Sequence, residues 1–346
     1  MIYLNNLVNN FNYNLSKQNP YLPKVAVAPM LDWTDRHCRF FHRQLTSYTL
    51  LFTEMIVADA IIHGPRDRLL AFSSIEKPLA VQLGGSDITK LTEAAKIVAD
   101  YGYNEININL GCPSEKVQAG QFGASLMQQP IHVGNLVAAL KKAVNIPITV
   151  KCRIGIDQHP IPDLLNTIGD IMVDNGVDAL WIHARKAWLN GLSPKENREV
   201  PSLEYDVVYN FKLRHPNLFV GINGGIETVE QITEHLNNVD AVMIGRKAYK
   251  YPRLLTKMDN SIYNRNSKTV NYAEVIDIMV DYADRHIKNG GKLSHISMHM
   301  LDLFNGYEGA KNWRRILSND ARKEGVQADL IKMAFEQIDF SKNNIE

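Results

Sequence analysis

The chain has 346 residues, 45% hydrophobic and 22% charged, which suits one large α/β domain with a smaller one beside it and excludes a disordered or covalently stapled scaffold. A net charge of +1 excludes bulk electrostatic attraction to nucleic acid, so any basic surface has to be local. Three scattered cysteines, Cys38, Cys112 and Cys152, with no C-x-x-C among them, exclude a disulfide framework, argue against an iron–sulfur cluster or structural zinc, and predict a reducing, cytoplasmic setting.

The first 20 residues are rich in asparagine. They lack the basic start and apolar block of a signal peptide, and no later run approaches the roughly 20 apolar residues of a membrane span. Residues 1–20 are read as a poorly ordered lead-in. Short apolar, β-rich runs then recur: residues 25–28, 50–55, 79–83, 105–110, 148–151, 179–183, 218–222 and 241–244. Helical patterns lie between them. Asp87 caps a helix over 89–101 that Gly102 ends; Pro130 opens one over 131–144; another covers 163–175 before Gly176; a fourth covers 228–236. Apolar strands alternating with helices imply a parallel sheet buried on both faces. Eight such units imply a (β/α)8 TIM barrel over residues 21–258. The alternative, a doubly wound sheet, lacks a G-x-G-x-x-G in the first βα turn. From residue 259 to 346 only helical periodicity remains, through Val275, Ile276, Met279, Val280, Ala283 and Ile287, then Ile296, Met300, Leu303 and Phe304, then Trp313, Ile316 and Leu317. This predicts a C-terminal helical-bundle domain.

In a parallel barrel the chemistry sits at the carboxyl ends of the strands. Those ends carry Ala28-Pro29-Met30, Glu54-Met55, Gln82, Asn109 with Cys112, Lys151 with Arg153, His183 with Arg185, Asn223-Gly224-Gly225 and Gly245-Arg246. Each alone has a structural explanation: a histidine satisfied in the core, a lysine at a solvated terminus, a pair of tight turns. Their convergence on one basin does not. The glycine turns after the seventh and eighth strands predict a phosphate site, with backbone N–H groups approaching the anion and Arg246 adding a bidentate contact. Gln82, Lys151 and His183 around it suit a phosphorylated planar cofactor such as FMN. The glutamine amide matches a donor–acceptor ring edge, the lysine suits a ring nitrogen that becomes anionic, and Ala28, Pro29 and Met30 line the ring. Among these strand-end residues no acidic cluster or His-x-x-x-His spacing suggests a metal. Cys112 ends a strand in Gly111-Cys112-Pro113, displayed as a general acid or a nucleophile; a small buried thiol is the bland alternative. Reducing a conjugated C=C with a flavin needs a proton from the side opposite the hydride. A thiol, ordinarily protonated at neutral pH with a pKa of about 8.5, can give it without a histidine partner.

These residues carry a resemblance to the tRNA-dihydrouridine synthases. The matching pieces run in family order: Ala28-Pro29-Met30, Gln82-Leu83-Gly84-Gly85, Asn107-x-Asn109-x-Gly111-Cys112-Pro113, Val150-Lys151-x-Arg153, Ile182-His183-Ala184-Arg185, Asn223-Gly224-Gly225 and Gly245-Arg246. Residues 30–37, 183–189, 191–198 and Gly309-Ala310-Lys311-x-Trp313-Arg314-Arg315 resemble the bacterial A subfamily. The resemblance implies an FMN barrel with a helical tRNA-binding domain, an oxidoreductase that reduces the C5–C6 bond of uridine at U20 and U20a of the tRNA D-loop. NADPH is the electron source, hydride goes to C6, and Cys112 protonates C5. It implies that Gln82, Lys151, His183, Asn223, Gly224, Gly225, Gly245 and Arg246 hold FMN and that Asn109 sits near the target uracil or its backbone. Cys152, following Lys151, departs from the family pattern, but strand alternation turns it away from the basin.

Charge and tryptophan positions fit a tRNA partner. Arg185, Lys186, Lys195 and Arg198 cluster after the sixth strand, and Lys311, Arg314, Arg315, Arg322 and Lys323 cluster in the tail. These two basic islands can grip tRNA phosphates, and Asn109, Arg153, Lys186, Lys195, Arg198, Lys311, Arg314 and Arg315 form the expected tRNA-contact set. Trp33, Trp188 and Trp313 either stack bases or pack in a core. A base-flipping step is expected, because the target base is folded into the tRNA elbow. No protein partner and no membrane contact are expected, and a barrel with its own helical domain can stand as a monomer. Two rivals differ in chemistry: an FMN barrel reducing a small molecule, which needs no basic tail, and an RNA-remodelling protein, in which Cys112 would be dispensable.

Overall fold

A computed structural model describes Tyr13, residues 22–265 and residues 269–341, with the side chain of Lys116 outside the described set. The lead-in expected over residues 1–20 therefore lies outside the described residues except at Tyr13. Eight strands are present: β1 (Val25–Val27), β2 (Leu51–Val57), β3 (Leu79–Gly84), β4 (Glu105–Leu110), β5 (Ile148–Arg153), β6 (Ala179–His183), β7 (Phe219–Asn223) and β8 (Ala241–Ile244). All neighbours pair in parallel, in the order β1-β8-β7-β6-β5-β4-β3-β2. The circle closes where the Val27 amide donates to the Leu50 carbonyl at 2.9 Å and the Leu50 amide to Val25 at 3.0 Å. This is a (β/α)8 barrel, as the alternation of apolar strands and helices requires.

The local signals act as their chemistry dictates. The Asp87 carboxylate accepts from the Lys90 amide at 2.9 Å and starts the helix Ile88–Asp100. Pro130 is the first residue of Pro130–Ala143, where its missing N–H costs nothing. Thr228 and Gln231 form a reciprocal capping box at the start of Val229–His235. In the amino-terminal half of the barrel, Tyr13, Phe52, Trp181, Phe219 and Met243 belong to one buried cluster with small residues from β1, β3, β6 and β8. The Trp181 ring meets Phe52 and Phe219 edge-on, with centroids 5.9 and 5.7 Å away. Aromatic packing thus fills much of that half, with the buried Glu105 and Thr149 level with it on β4 and β5.

The chain divides into two compact units. The described residues up to Asp32 and Thr49–Gly245 form the barrel unit; Trp33–Tyr48 and the described residues from Arg246 onward form the second. The change in periodicity points to a boundary at 258/259, whereas the second unit begins at Arg246 and also takes in the helix Arg36–Leu45. The reason is aromatic packing that leaves no mark on local periodicity. Phe40 stacks flat on Tyr282 of the helix Tyr272–Lys288, with centroids 3.9 Å apart and planes 9° apart. Asp259 accepts from Thr46 Oγ1 at 2.6 Å and the Ser47 amide at 2.7 Å, tying the end of that helix down. The core of this unit gathers on Phe304, whose ring lies 5.0 Å from Trp313 at 84°. Among the described residues no helix is long and apolar enough to cross a membrane.

Candidate active site

Strand register assembles the carboxyl-end residues. Gln82 on β3 is opposite Asn107 on β4, Asn109 is opposite Lys151 on β5, Arg153 is opposite His183 on β6, and His183 is opposite Asn223 on β7. Side chains alternate along a strand, so Thr149, Lys151 and Arg153 share one face of β5 and Cys152 takes the other. Cys152 is fully buried, and burial pushes its thiol up to about 12, which keeps it protonated and inert.

A file of hydrogen bonds runs along the barrel interior to Cys112. Tyr13 OH bonds Glu105 Oε2. Thr149 Oγ1 donates to Glu105 Oε1 at 2.7 Å and accepts from Asn107 Nδ2 at 2.8 Å. Gln82 Nε2 donates to Asn107 Oδ1, and Asn109 Nδ2 to Gln82 Oε1, both at 2.8 Å. Asn109 Oδ1 then accepts from the amides of Gly111, at 3.1 Å, and Cys112, at 3.0 Å. The Cys112 side chain is half-buried, and its Sγ lies 3.4 Å from Ser114 Oγ.

The loop behind Cys112 is held from two sides. Gln118 Nε2 donates to the Pro113 carbonyl at 2.8 Å and to the Leu189 carbonyl, in the loop after β6, at 2.7 Å. The Ala124 amide donates to the Cys112 carbonyl at 2.9 Å. Gly123, at φ +73°, makes this return possible, because a Cβ there would lie 2.6 Å from the Cys112 carbonyl oxygen.

On β5, the strand beside β4, the site is cationic. Burial, with Arg153 nearby, brings the half-buried Lys151 ammonium down to about 8. Burial and then the charges of Arg153 and Lys151 hold His183 well below the ordinary histidine range, so its imidazole is neutral. His183 Nδ1 is buried with no hydrogen-bond partner among the described residues, a costly state unless a ligand supplies one. The His183 ring lies against the glycine turn: a Cβ on Gly224 would be 3.3 Å from its Nε2. Gly224 and Gly225 take φ of +123° and +70°, and Tyr205 OH donates to the Gly224 carbonyl at 2.8 Å. An unpartnered imidazole nitrogen, a half-buried lysine and a left-handed glycine turn form a donor set that fits an anionic, ring-bearing cofactor.

Not every expected residue is placed alike. Asn223 Nδ2 is engaged with the Met243 carbonyl at 2.7 Å, so it buttresses the turn. Ala28 is buried, with its amide on the Ile244 carbonyl at 2.8 Å, and Pro29 and Met30 are half-buried. Gly245 follows β8, and Arg246 opens the helix Arg246–Lys250 in the second unit. Arg153 is buried, and its guanidinium donates to the carbonyls of Gly111 (3.2 Å), Lys186 (3.0 Å) and Asn197 (2.8 Å), so it organises two loops instead of offering a surface charge. Lys186 Nζ likewise caps the carbonyls of Asp157 at 3.1 Å and His159 at 2.7 Å. Lys195, Arg198, Lys311 and Arg315 are exposed; Arg314 is half-buried and pairs with Asp302 at 2.9 Å. Trp313 is fully buried with Nε1 on the Met300 carbonyl at 3.0 Å, which makes it a core residue. Ser114, Thr149, Asn107 and Gln118 are absent from the expected set. Asn107 stands in the same strand motif as Asn109, whereas Gln118 meets Leu189, 71 residues on, and no local pattern announces that.

A family model described as dihydrouridine synthase (Dus) matches residues 26–339. The chain is 50% identical over 312 residues to a tRNA-dihydrouridine(20/20a) synthase of Synechocystis sp., covering 90% of this chain and 93% of the relative. It is 47% identical over 314 residues to the Yersinia pestis protein of the same name (90% and 91% covered) and 46% identical over 313 to that of Shewanella oneidensis (90% and 93%). Among solved structures, a complex of 2-naphthoyl-CoA reductase with 2-naphthoyl-CoA superposes with a TM-score of 0.53 at 11% identity, over 68% of this chain and 49% of that one, a likeness of fold.

Proposed function

Because the chain belongs to the dihydrouridine synthase family, we propose that it is an oxidoreductase that reduces uridine to dihydrouridine at positions 20 and 20a of tRNA, with FMN as cofactor and NADPH as electron source. The observation that carries this reading is the pairing of a half-buried Cys112 thiol with the basin of Gln82, Asn109, Lys151 and His183 at the carboxyl ends of a barrel.

Bound FMN supplies hydride chemistry directed at C6 of the uracil. The protein's own residues do the rest. The glycine turn at Gly224 and Gly225, with Gly245 and Arg246, holds the phosphate, and His183 Nδ1 gains the partner it lacks. Neutral His183 can donate or accept without adding charge. Lys151, partly desolvated, places a cation where a ring nitrogen gains negative charge. Gln82 retains one N–H and one lone pair beyond its bonds to Asn107 and Asn109, enough to meet a donor–acceptor ring edge. Asn109 keeps one N–H for a uracil carbonyl. Cys112 Sγ releases its proton to C5, and Ser114 Oγ holds the thiol in place. The exposed Lys195, Arg198, Lys311 and Arg315 meet tRNA phosphates. The protein acts as a monomer in the cytoplasm.

The test couples a spectrum to turnover. Purified protein should show the visible absorbance of a bound flavin, and NADPH should be consumed only when tRNA lacking dihydrouridine is added. Consumption with a small unsaturated molecule and none with tRNA would reassign the site to a small-molecule reductase.

A further inference from the structure

The file of side chains from Glu105 to Cys112 has a direction, and the direction is fixed at both ends. At one end the donors are the backbone amides of Gly111 and Cys112, which cannot accept. Asn109 therefore turns Oδ1 toward them and Nδ2 toward Gln82. Gln82 must then present Oε1 to Asn109 and Nε2 to Asn107, and Asn107 must present Nδ2 to Thr149. Thr149 Oγ1 accepts that hydrogen bond, so its own O–H is left to donate to Glu105 Oε1. A carboxylate is the one side chain that ends such a file with an acceptor on either oxygen. Tyr13 occupies the other oxygen, so a proton taken up by Glu105 at Oε2 leaves Oε1 still accepting. Glu105, Asn107 and Thr149 are all fully buried, and Gln82 nearly so, which removes water as a substitute partner.

We propose that Glu105, Thr149 and Asn107 are positioning residues for the reaction: their one-way chain of donors sets which end of the Gln82 and Asn109 amides faces the reacting groups and anchors the backbone of Cys112. The proposal rests on the reading that Gln82 meets the cofactor and Asn109 the uracil. Without the Thr149 hydroxyl, Asn107 Nδ2 has no acceptor. A flipped Asn107 would set its amino group against Gln82 Nε2, donor against donor. Relief of that clash requires Gln82 to flip, and Asn109 after it, until an amino group faces the amides of Gly111 and Cys112. The fault therefore propagates along the file to the thiol loop.

Thr149→Val keeps the shape and removes the hydroxyl; Thr149→Ser restores it. With each variant checked for cooperative unfolding, two quantities are measured: the dissociation constant for FMN, and the rate at which Cys112 is alkylated in the absence of tRNA. The other two thiols, Cys38 and Cys152, are buried. Thr149→Val should weaken FMN binding about tenfold, as one unsatisfied buried polar group implies, and should speed alkylation as the loop loses its anchor. Thr149→Ser should match the wild type in both. A folded Thr149→Val protein with wild-type FMN affinity and alkylation would overturn the proposal. Should that variant not fold, Glu105→Gln decides. Its amide oxygen still accepts from Thr149 and its N–H still meets Tyr13, so both readouts should stay near wild type; loss of both would mean that charge and not direction governs the site. Wild-type protein that takes up no FMN would refute the cofactor reading alone, since alkylation still tests the file.

Discussion

At the scale of single residues, chemistry and position divide the three thiols. Cys152 is sealed in and held protonated at about 12, whereas Cys112 stands half-buried beside Ser114 at the end of β4. Cys112→Ala should therefore cut dihydrouridine formation by about 100-fold or more, the usual weight of a general acid, while flavin absorbance and thermal stability stay unchanged; an equally active variant would remove the thiol from the reaction. Glu105 offers a second test. Burial pushes its carboxyl up to about 7, against the hydrogen bonds of Thr149 and Tyr13, and the charge of Asp178 adds to the rise. The folded value exceeds the unfolded one, so the stability linked to Glu105 is present below the unfolded pKa and lost as pH rises through about 7. Glu105→Gln removes that loss. Its melting temperature should gain on the wild type between about pH 5 and about pH 8, and parallel melting curves across that range would contradict the assignment. That Gln82, Asn109, Lys151 and His183 gather toward the carboxyl ends of neighbouring strands was legible from the sequence, because the parallel strands of a barrel all end on one face. Thr149 and Glu105 were not, since a threonine and a glutamate in apolar strands look like ordinary strand residues until register places them in one file.

At the scale of elements, caps and glycines were the readable signals, and their structural counterparts are direct. Asp87, Pro130 and Thr228 start the helices they were expected to start. The helix Arg36–Leu45 carries such a signal too, an Asp35 cap ahead of an amphipathic run, but it was not among the expected helices. What packs it is the stack of Phe40 on Tyr282, which no local pattern encodes. The Asp35 carboxylate accepts from the amides of His37 and Cys38, both at 2.9 Å, and has His299 Nε2 3.1 Å away. Burial alone would raise its carboxyl, but His299 and the Cys38 amide outweigh that and bring it down to about 2. Asp35→Ala should cost about 1–2 kcal/mol in chemical denaturation, as N-cap losses do. That difference should be present above the ordinary carboxyl range and shrink as pH falls toward about 2.

At the scale of the whole molecule, the eight-fold alternation made the barrel legible, because near-continuous apolar strands leave few alternatives to a sheet covered on both faces. The boundary of the second unit was less legible, since the chain contributes Trp33–Tyr48 to it before returning to the barrel at Thr49. Local basic islands, and not the net charge of +1, have to carry any attraction to tRNA. Two of the expected contacts, Arg153 and Lys186, are engaged with backbone carbonyls, because a long basic side chain near a loop is as useful for capping carbonyls as for meeting phosphate. The exposed Lys195 and Lys311 are the better test. Replacing both by alanine should weaken tRNA binding and make its salt dependence shallower, by roughly one unit of slope per lost phosphate contact, with flavin content unchanged. Identical salt titrations would exclude both lysines from the interface.

The most direct measurement is dihydrouridine itself, quantified at each D-loop position of tRNA that lacks it, after incubation with the purified protein and NADPH. Product should appear at positions 20 and 20a with the wild type and be almost absent with Cys112→Ala. A flavin-bearing, NADPH-oxidising protein that leaves every uridine of the tRNA unreduced would contradict the proposed function.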